Sequence, residues 1–425
     1  MSRFIIQGGK CLSGRHVVSG NKNAALPMLA ASLLTDKPVT LHNVPLIEDV
    51  NTMLALLSDI GVSVSIKNHT VKLSSASLKK LSLDPDLCKR VRSSILFAGP
   101  LTAKYGRATI FSPGGDVIGR RRIDTHLSAL MQLGASVSCS HSSFTFRAKR
   151  LKGTNIILDE ASVTATENAI MAAVMADGCT TIFNAACEPH VQDLCHMLNK
   201  MGARIKGIGT NFLVIHGVKS LHGVSHEISP DYIDAISYAA AAVVTKGNII
   251  LENMPYSITS IIEKPLFKTG IKWKASKNNL MVNGRQLLTV KNDIGHAIPK
   301  IEDGPWPAFP SDLMSIAIVI ATQSSGTLLF FEKMFESRLY FVDRLIDMGA
   351  RIVQCDPHRV IVTGPTRLHG THLSSPDIRA GMALLIAALC AKGRSIIDNA
   401  QIIDRGYENA DLELQKLGAD ISRVD

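Results

Sequence analysis

Aromatic residues and long apolar runs are scarce in this sequence. Only 5% of its 425 residues are Phe, Trp or Tyr. No uninterrupted apolar run approaches the ~20 residues that a membrane-spanning helix needs. The opening stretch MSRFIIQGGK contains too short an apolar segment for a signal peptide. These absences predict a cytoplasmic protein without a membrane partner.

Paired cysteines are also missing. The eight cysteines include no Cys-x-x-Cys pair, which argues against both a disulfide framework and a zinc site. We therefore expect reduced thiols and no metal.

The positive charge has two possible meanings. A net charge of +10 could form a nucleic-acid face, or it could reflect arginines that converge on anionic small molecules. Basic residues are spread along the chain and few aromatic side chains accompany them. The sequence therefore favours small anionic substrates and predicts no nucleic-acid partner.

An internal repeat decides the predicted architecture. A helix end followed by an alternating strand recurs as LSDIGVSV, LMQLGASV, LNKMGARI, LFKTGIKW, LIDMGARI and LQKLGADI. The copies lie about 70 residues apart, a spacing typical of one repeated structural unit. The glycine of each copy fits the left-handed residue that ends a helix. These glycines are Gly61, Gly134, Gly202, Gly270, Gly349 and Gly418.

A second signature alternates with the first. It is an Ala-rich apolar helix, a turn and a β-rich strand, as in AAVMADGCTTIFNAA. These helices are apolar nearly all round, so we expect them inside, with the sheets facing out. Six such units exceed one hydrophobic core. We predict two similar α/β lobes of three units each, with a cleft between them and a break near residue 229.

Charged groups outside this repeated frame form the candidate site. SGNKNAALP places Lys22 and Asn23 at the start of an Ala-rich helix, where a cation and helix N–H groups can bind an anion. A solvated turn lysine is the alternative. The loop SPGGDVIGRRRID combines Asp116 with a run of arginines and three glycines.

Further arginines lie beside repeat elements, at Arg92, Arg338, Arg379 and Arg405. Arginine suits bidentate capture of phosphate and carboxylate, although any one of them could be an exposed ion pair. One carboxylate, Asp312, directly precedes a buried helix in PWPAFPSDLMSIAIV. Ser311 or Asp312 could cap that helix, or Asp312 could act as a general base.

Together these stretches resemble the enolpyruvyl transferases. SGNKNAALP, RSSILFAGPL, PGGDVIG, PAFPSD, FESR, PDIRAG and DRGYE occur in that family's order and spacing over essentially the whole chain. The resemblance implies a two-lobed inside-out α/β barrel of six βαβαββ units arranged three plus three. It also implies two domains, residues 21–229 with the catalytic loop 112–124, and residues 1–20 with 230–425.

The resemblance further implies a reaction without a cofactor. The enolpyruvyl group of phosphoenolpyruvate would move to the 3-hydroxyl of UDP-N-acetylglucosamine with release of phosphate, the first committed step of bacterial peptidoglycan synthesis. The implied catalytic residues are Lys22, Asp116, Asp312 and Arg405. The implied phosphoenolpyruvate contacts are Lys22, Asn23, Arg121, Arg338, Arg379 and Arg405. The implied nucleotide-sugar contacts are Asn23, Arg92, Arg121, Arg122, Ile123, Asp124, Thr125, Ser162, Val163, Asp312 and Met334.

Some residues depart from the family pattern. The family commonly has cysteine where this chain has Asp116, which would protonate the methylene carbon instead. Near the nucleotide-sugar pocket, proline, lysine, glycine, arginine and histidine are replaced by Arg122, Glu160, Thr164, Tyr232 and Trp306.

These departures leave alternatives open for the function. Another uridine nucleotide could be the acceptor, or the chain could be a non-catalytic UDP-sugar-binding paralogue. The presence of Lys22, Asp116, Asp312 and Arg405 together favours an enzyme, since a binding protein needs no acid–base pair.

Overall fold

A computed structural model describes residues 2–116, 118–119, 122–254 and 256–424. The predicted contact Arg121 lies outside the described residues. In the described part of the chain the strands are β1 (Arg3–Gln7), β2 (Ser13–Val17), β3 (Val39–His42), β4 (Ser63–Lys67), β5 (Thr70–Ser74), β6 (Arg107–Phe111), β7 (Ser136–Cys139), β8 (Ser143–Arg147), β9 (Asn155–Ile157), β10 (Cys179–Phe183), β11 (Arg204–Lys206), β12 (Phe212–His216), β13 (Val224–Glu227), β14 (Asn248–Glu252), β15 (Lys274–Ser276), β16 (Asn279–Asn283), β17 (Lys300–Glu302), β18 (Gly326–Phe331), β19 (Arg351–Asp356), β20 (Arg359–Gly364), β21 (His372–Ser374), β22 (Arg394–Asp398) and β23 (Asp420–Val424).

Helices alternate with these strands along the chain. The α-helices are α1 (Lys22–Ala31), α2 (Glu48–Asp59), α3 (Pro85–Arg90), α4 (Ala98–Tyr105), α5 (Asp124–Gln132), α6 (Val163–Ala173), α7 (Pro189–Lys200), α8 (Tyr232–Val244), α9 (Tyr256–Leu266), α10 (Met314–Thr322), α11 (Val342–Asp347), α12 (Ile378–Cys390) and α13 (Ala410–Lys416). Short 3-10 turns cover Ser32–Leu34, Arg92–Phe97, Phe267–Thr269, Ile294–His296, Ser311–Leu313 and Ala400–Arg405.

The six repeat glycines behave as their sequence predicts. Each has a positive φ, between 91° and 102°, which glycine adopts without a steric cost. Five of them follow an α-helix, and Gly270 follows the 3-10 turn Phe267–Thr269. The strand after each glycine is β4, β7, β11, β15, β19 or β23.

Pairing of the described strands produces six sheets. In five of them one strand pairs in parallel with one neighbour and antiparallel with the other, as β10 does with β9 and β12. The sixth sheet, β6–β8–β7, is antiparallel. One sheet for each repeat confirms the sixfold reading of the sequence.

The chain divides into two compact units. The N-terminal unit contains residues 20–116 and 122–229, and the C-terminal unit contains residues 2–19, 118–119 and 230–424. Each unit has three of the sheets and its own buried hydrophobic cluster, as the three-plus-three fold requires. Strands β1 and β2 pair within sheets of the C-terminal unit. The domain limits expected from the sequence, 21–229 and 1–20 with 230–425, stay a prediction.

The Ala-rich helices lie in the two cores. All thirteen residues of α8 and all nine of α10 are buried. In the N-terminal unit, Gly99 of α4 lies so close to α6 that a Cβ atom would come within 2.6 Å of Asn168 O. These helices support the residues of the candidate site at their N-terminal ends.

Candidate active site

In the C-terminal unit, Asp312 forms ion pairs with two arginines. Its Oδ1 accepts a hydrogen bond from Arg338 Nη2 at 3.0 Å, and its Oδ2 accepts one from Arg379 Nη2 at 3.1 Å. The Asp312 side chain is 28% exposed, whereas those of Arg338 and Arg379 are 3% and 5% exposed. The carboxylate therefore stands at the accessible end of a buried cationic pair.

The capping alternative for this segment does not occur. No side-chain hydrogen bond caps the turn Ser311–Leu313 or the helix α10 that follows it. Ser311 Oγ instead donates to Glu332, which the sequence reasoning did not identify.

The two arginines remain charged despite their burial. Burial acts to lower the pKa of each, but the Asp312 carboxylate opposes this effect, and the pKa of both Arg338 and Arg379 is raised. Arg379 lies in the first turn of α12, where its backbone N–H donates to the N-cap residue Asp377 at 2.8 Å. The helix terminus therefore fixes the backbone from which the Arg379 guanidinium group extends.

Arg405 lies at the end of the turn Ala400–Arg405 and is half-buried. Two residues later, the buried Tyr407 OH lies 2.9 Å from Ser237 Oγ. The Arg379 guanidinium lies 5.5 Å from the centre of the Tyr407 ring. Tyr407 therefore connects the DRGYE stretch with Arg379.

The N-terminal unit holds Lys22 in a different way. Lys22 is the first residue of α1, and its Nζ lies 2.8 Å from Asp49 Oδ2, with both side chains less than 9% exposed. Asn21 caps the helix through a hydrogen bond from Ala24 N at 3.0 Å. Asn23 is half-buried in the same first turn. The alternative of a solvated turn lysine is therefore wrong.

The loop that carries Asp116 packs on the segment around Arg92. Gly114 N donates to Cys88 O at 3.0 Å, and a Cβ atom on Gly114 would come within 1.7 Å of Lys89 O. Gly115 has a φ of 105°, and a Cβ atom there would meet the Arg92 Cβ at 2.9 Å. Both glycines are therefore required by this close approach, and they place a half-buried Asp116 after them.

Arg92 also contacts the far side of that loop. Its Nη2 donates to Arg122 O at 3.0 Å, while the exposed Arg122 side chain pairs with Asp124. Ile123 precedes α5 as its N-cap residue, and Asp124 lies in the first turn. The predicted nucleotide-sugar residues 122–125 thus lie at one helix N-terminus.

A buried neutral network joins the starts of α5 and α6. Asn168 Oδ1 accepts from Gly99 N at 2.8 Å, so its Nδ2 donates to Ile95 O at 2.8 Å and to His126 Nδ1 at 2.9 Å. His126 Nε2 then donates to Thr164 Oγ1 at 3.0 Å. Burial, with the Arg92 charge nearby, lowers the pKa of His126 to about 3. The imidazole is therefore neutral.

This network lies beside the other predicted pocket residues. Ser162 is the N-cap residue of α6 and Val163 is its first residue. Thr125 Oγ1 donates to Glu160 Oε1 at 3.4 Å. Two of the departures from the family, Glu160 and Thr164, thus hydrogen-bond to α5 residues.

Two further departures meet in the C-terminal unit. The rings of Tyr232 and Trp306 lie 6.1 Å apart at an angle of 41°. The structure therefore pairs the two aromatic substitutions with each other.

Met334, a predicted nucleotide-sugar contact, is 38% exposed, and its backbone N–H donates to Glu332 Oε1 at 3.2 Å.

Sequence reasoning missed several buried polar residues of these clusters. They are Asp49, His126, Asn168, Asp303 and Glu332. The sequence contains a signal for one of them, Asn168. It belongs to the polar pair in TATENA, which interrupts an otherwise apolar helix, and buried polar groups need hydrogen-bond partners.

The described residues contain neither a membrane-spanning helix nor a cluster of metal ligands. No helix within residues described by the structure is long and apolar enough to cross a bilayer. The same residues contain no group of three or more His, Cys, Asp or Glu side chains that could hold a metal ion.

Comparison with known proteins identifies similar sequences over the whole chain. The family model for EPSP synthase (3-phosphoshikimate 1-carboxyvinyltransferase) matches residues 6–414. A UDP-N-acetylglucosamine 1-carboxyvinyltransferase from Bradyrhizobium diazoefficiens is 51% identical over 99% of this chain and 98% of its own. One of the same name from Treponema denticola is 51% identical over 99% of both chains.

Two solved structures show the same fold. The enolpyruvyl transferase NikO from Streptomyces tendae has a TM-score of 0.88 at 23% identity, covering 100% of this chain and 99% of its own. EPSP synthase from Acinetobacter baumannii has a TM-score of 0.77 at 18% identity, covering 100% of both chains. These likenesses confirm the two-lobed α/β architecture that the sequence predicts.

Proposed function

The chain belongs to the EPSP synthase family of enolpyruvyl transferases, and we propose that it transfers the enolpyruvyl group of phosphoenolpyruvate to the 3-hydroxyl of UDP-N-acetylglucosamine. It is a transferase, and phosphate is the second product. The reaction is the first committed step of bacterial peptidoglycan synthesis and thereby serves cell-wall biogenesis, cell shape and cell division. Both substrates and a cytoplasmic location are parts of this proposal.

One observation carries the choice of acceptor. The chain is 51% identical over nearly its full length to proteins named for UDP-N-acetylglucosamine. The EPSP synthase of similar fold is 18% identical. The nucleotide sugar is therefore the better-supported acceptor.

The proposed chemistry is an addition followed by an elimination. The sugar 3-hydroxyl oxygen bonds to C2 of phosphoenolpyruvate, while Asp312 takes the hydroxyl proton and Asp116 gives a proton to the methylene carbon. Phosphate then leaves C2 and a proton leaves the methyl carbon, which restores the double bond. Positioned acids and bases of this kind accelerate reactions by about 10²–10⁴.

The arginine pair supports the role assigned to Asp312. Two guanidinium groups fix the orientation of its carboxylate. The same groups suit the phosphate and carboxylate of phosphoenolpyruvate. When phosphoenolpyruvate binds, Arg338 and Arg379 would pair with its anionic groups instead of with Asp312. The Asp312 carboxylate would then be able to accept a proton.

In the N-terminal unit six of the proposed nucleotide-sugar contacts lie at the starts of α5 and α6, namely Arg122, Ile123, Asp124, Thr125, Ser162 and Val163. Helix N-termini present unpaired N–H groups, which suits an anionic diphosphate. Arg92, in the turn Arg92–Phe97, is also proposed as a contact, and so is Arg121, which lies outside the described residues. Lys22, Asn23 and Arg405 are proposed for phosphoenolpyruvate, and Met334 for the nucleotide sugar.

Phosphate release tests the reaction and the acceptor together. The purified protein should release phosphate from phosphoenolpyruvate with UDP-N-acetylglucosamine and not with shikimate 3-phosphate. Equal rates with other uridine nucleotides as acceptors would contradict the assignment of UDP-N-acetylglucosamine as the acceptor. Binding of UDP-N-acetylglucosamine without turnover would favour the non-catalytic alternative.

A thiol substitution tests the role of Asp116. The epoxide fosfomycin reacts with thiolates far faster than with carboxylates, and none of the eight cysteines lies in the loop 112–124. We expect an active enzyme that resists fosfomycin, and an Asp116→Cys variant that is inactivated at least roughly tenfold faster. Mass spectrometry should find the adduct on the loop peptide. Rapid inactivation of the unmodified protein would contradict the assignment.

A further inference from the structure

Behind Asp312 lies a carboxyl group that the proposed chemistry does not use. Glu332 follows β18 and is fully buried. Its two oxygens accept from Ser311 Oγ at 3.0 and 2.9 Å. Its Oε1 also accepts from Met334 N at 3.2 Å and Phe335 N at 3.1 Å. One side chain therefore joins the turn of Asp312 to the segment that leads to Arg338.

A second buried carboxyl group faces Glu332. Asp303 is 1% exposed, and its Oδ1 accepts from Lys333 N at 2.5 Å. Among the described residues, no amide, hydroxyl or charged nitrogen donates to Asp303 Oδ2. Asp303 directly follows β17 and Glu332 directly follows β18, and these strands pair in parallel with Glu302 opposite Phe331, so the two buried carboxyl groups lie side by side. Two carboxylates so placed repel each other, which favours a single proton shared between them.

We propose that Glu332, through a proton shared with Asp303, is a positioning residue for Asp312. A proton on Glu332 Oε2 gives Asp303 Oδ2 a donor and leaves Glu332 Oε1 to accept from Ser311 and from the backbone N–H groups of residues 334 and 335. This inference rests on the proposed function, since Asp312 is the proposed base.

The surrounding charges favour the protonated pair. Burial and then the hydrogen bond to Asp303 raise the pKa of Glu332, and the Arg338 charge opposes them only partly. The other facing group is His358, whose Nδ1 lies 2.7 Å from the Glu332 backbone oxygen. Lys333 extends outward to the partly exposed Glu302 at 2.9 Å. Loss of the shared proton at high pH would place two charges together and move Ser311 and Asp312.

Three substitutions separate positioning from simple packing. Glu332→Gln and Asp303→Asn each replace the shared proton with an amide N–H, while Glu332→Ala removes the link. Glu302→Gln makes the same chemical change at a partly exposed site on the neighbouring strand β17 and serves as the matched control.

The readout is the pH profile of turnover with saturating substrates. Glu332→Ala should lose roughly tenfold or more of kcat, because it leaves buried polar groups without partners. Glu332→Gln should recover most of that loss, and both amide variants should lack the alkaline decline of the wild type. Glu302→Gln should keep the wild-type profile.

Two results would overturn the proposal. One is a Glu332→Gln variant as impaired as Glu332→Ala, and the other is an unchanged alkaline decline in both amide variants. If the wild type releases no phosphate, the proposed function fails instead. The shared proton is then tested by thermal unfolding, in which wild-type stability should fall as the pH rises while that of Glu332→Gln should not.

Discussion

One polar cluster in the C-terminal unit and one in the N-terminal unit differ in their charge. In the C-terminal unit a carboxylate, Asp312, is balanced by the two buried guanidinium groups of Arg338 and Arg379. In the N-terminal unit the buried network of His126 and Asn168 carries no net charge, because the histidine is neutral. Every described contact of that network is an ordinary hydrogen bond between neutral groups.

This difference in charge indicates which cluster serves the chemistry and which one stabilises the fold. Burying charged groups costs free energy of desolvation that their pairing often fails to offset, so a charged cluster is a poor source of stability. A fully paired neutral network stabilises a single geometry without that cost. The charged cluster is therefore the better candidate for chemistry, and the neutral network the better candidate for holding the starts of α5 and α6.

The largest expected effect comes from removing the charge of Asp312. Asp312→Asn should lower kcat by a factor on the order of 10² or more, since a general base contributes that much. Binding of UDP-N-acetylglucosamine, measured by calorimetry, should stay largely intact.

A control distinguishes loss of the base from loss of any ion pair. Asp347→Asn removes an exposed carboxylate that lies 3.3 Å from Arg344 in the same unit, and it should leave kcat unchanged. Near wild-type turnover of Asp312→Asn would contradict the assignment of the charged cluster to the chemistry.

Breaking the neutral network should act on stability instead. Asn168→Ala leaves Gly99 N, Ile95 O and His126 Nδ1 without their partner. We expect the free energy of unfolding to fall by about 3 kcal/mol, since each buried group left unpaired costs about 1–3 kcal/mol. Denaturant titration measures this change. The exposed Asn283, whose side-chain oxygen accepts from Arg285 N at 2.9 Å, supplies Asn283→Ala as the control.

Local signals made the fold predictable from sequence. The helix-ending glycines and the alternating strands after them are set by residues within a few positions of one another, so the repeats could be read directly. The glycines of the loop 112–124 were recognised as permissive. Their close approach to Lys89 and Arg92 became visible only in the structure.

The polar partners were not predictable because distant segments supply them. Asn168 and Ile95 are separated by 73 positions, and Arg379 and Asp312 by 67. No local pattern specifies such pairs. Motifs identified Asp312, Arg338 and Arg379 singly, and only the fold shows that they contact one another.

The smallest expected effect is a pH dependence of stability from His126. Its pKa is about 3 in the folded protein against an ordinary value of 6.5, because burial and the Arg92 charge disfavour the imidazolium. The unfolded chain binds a proton below pH 6.5 that the folded chain excludes, so this contribution to stability is present above that pH and is lost as the pH falls. From pH 6.5 to 5.5 the wild type should lose about 1 kcal/mol more than His126→Gln. His222→Gln, at an exposed histidine of the same unit, should follow the wild type. Parallel pH dependences of the wild type and His126→Gln in denaturant titrations would show that the network is not held neutral.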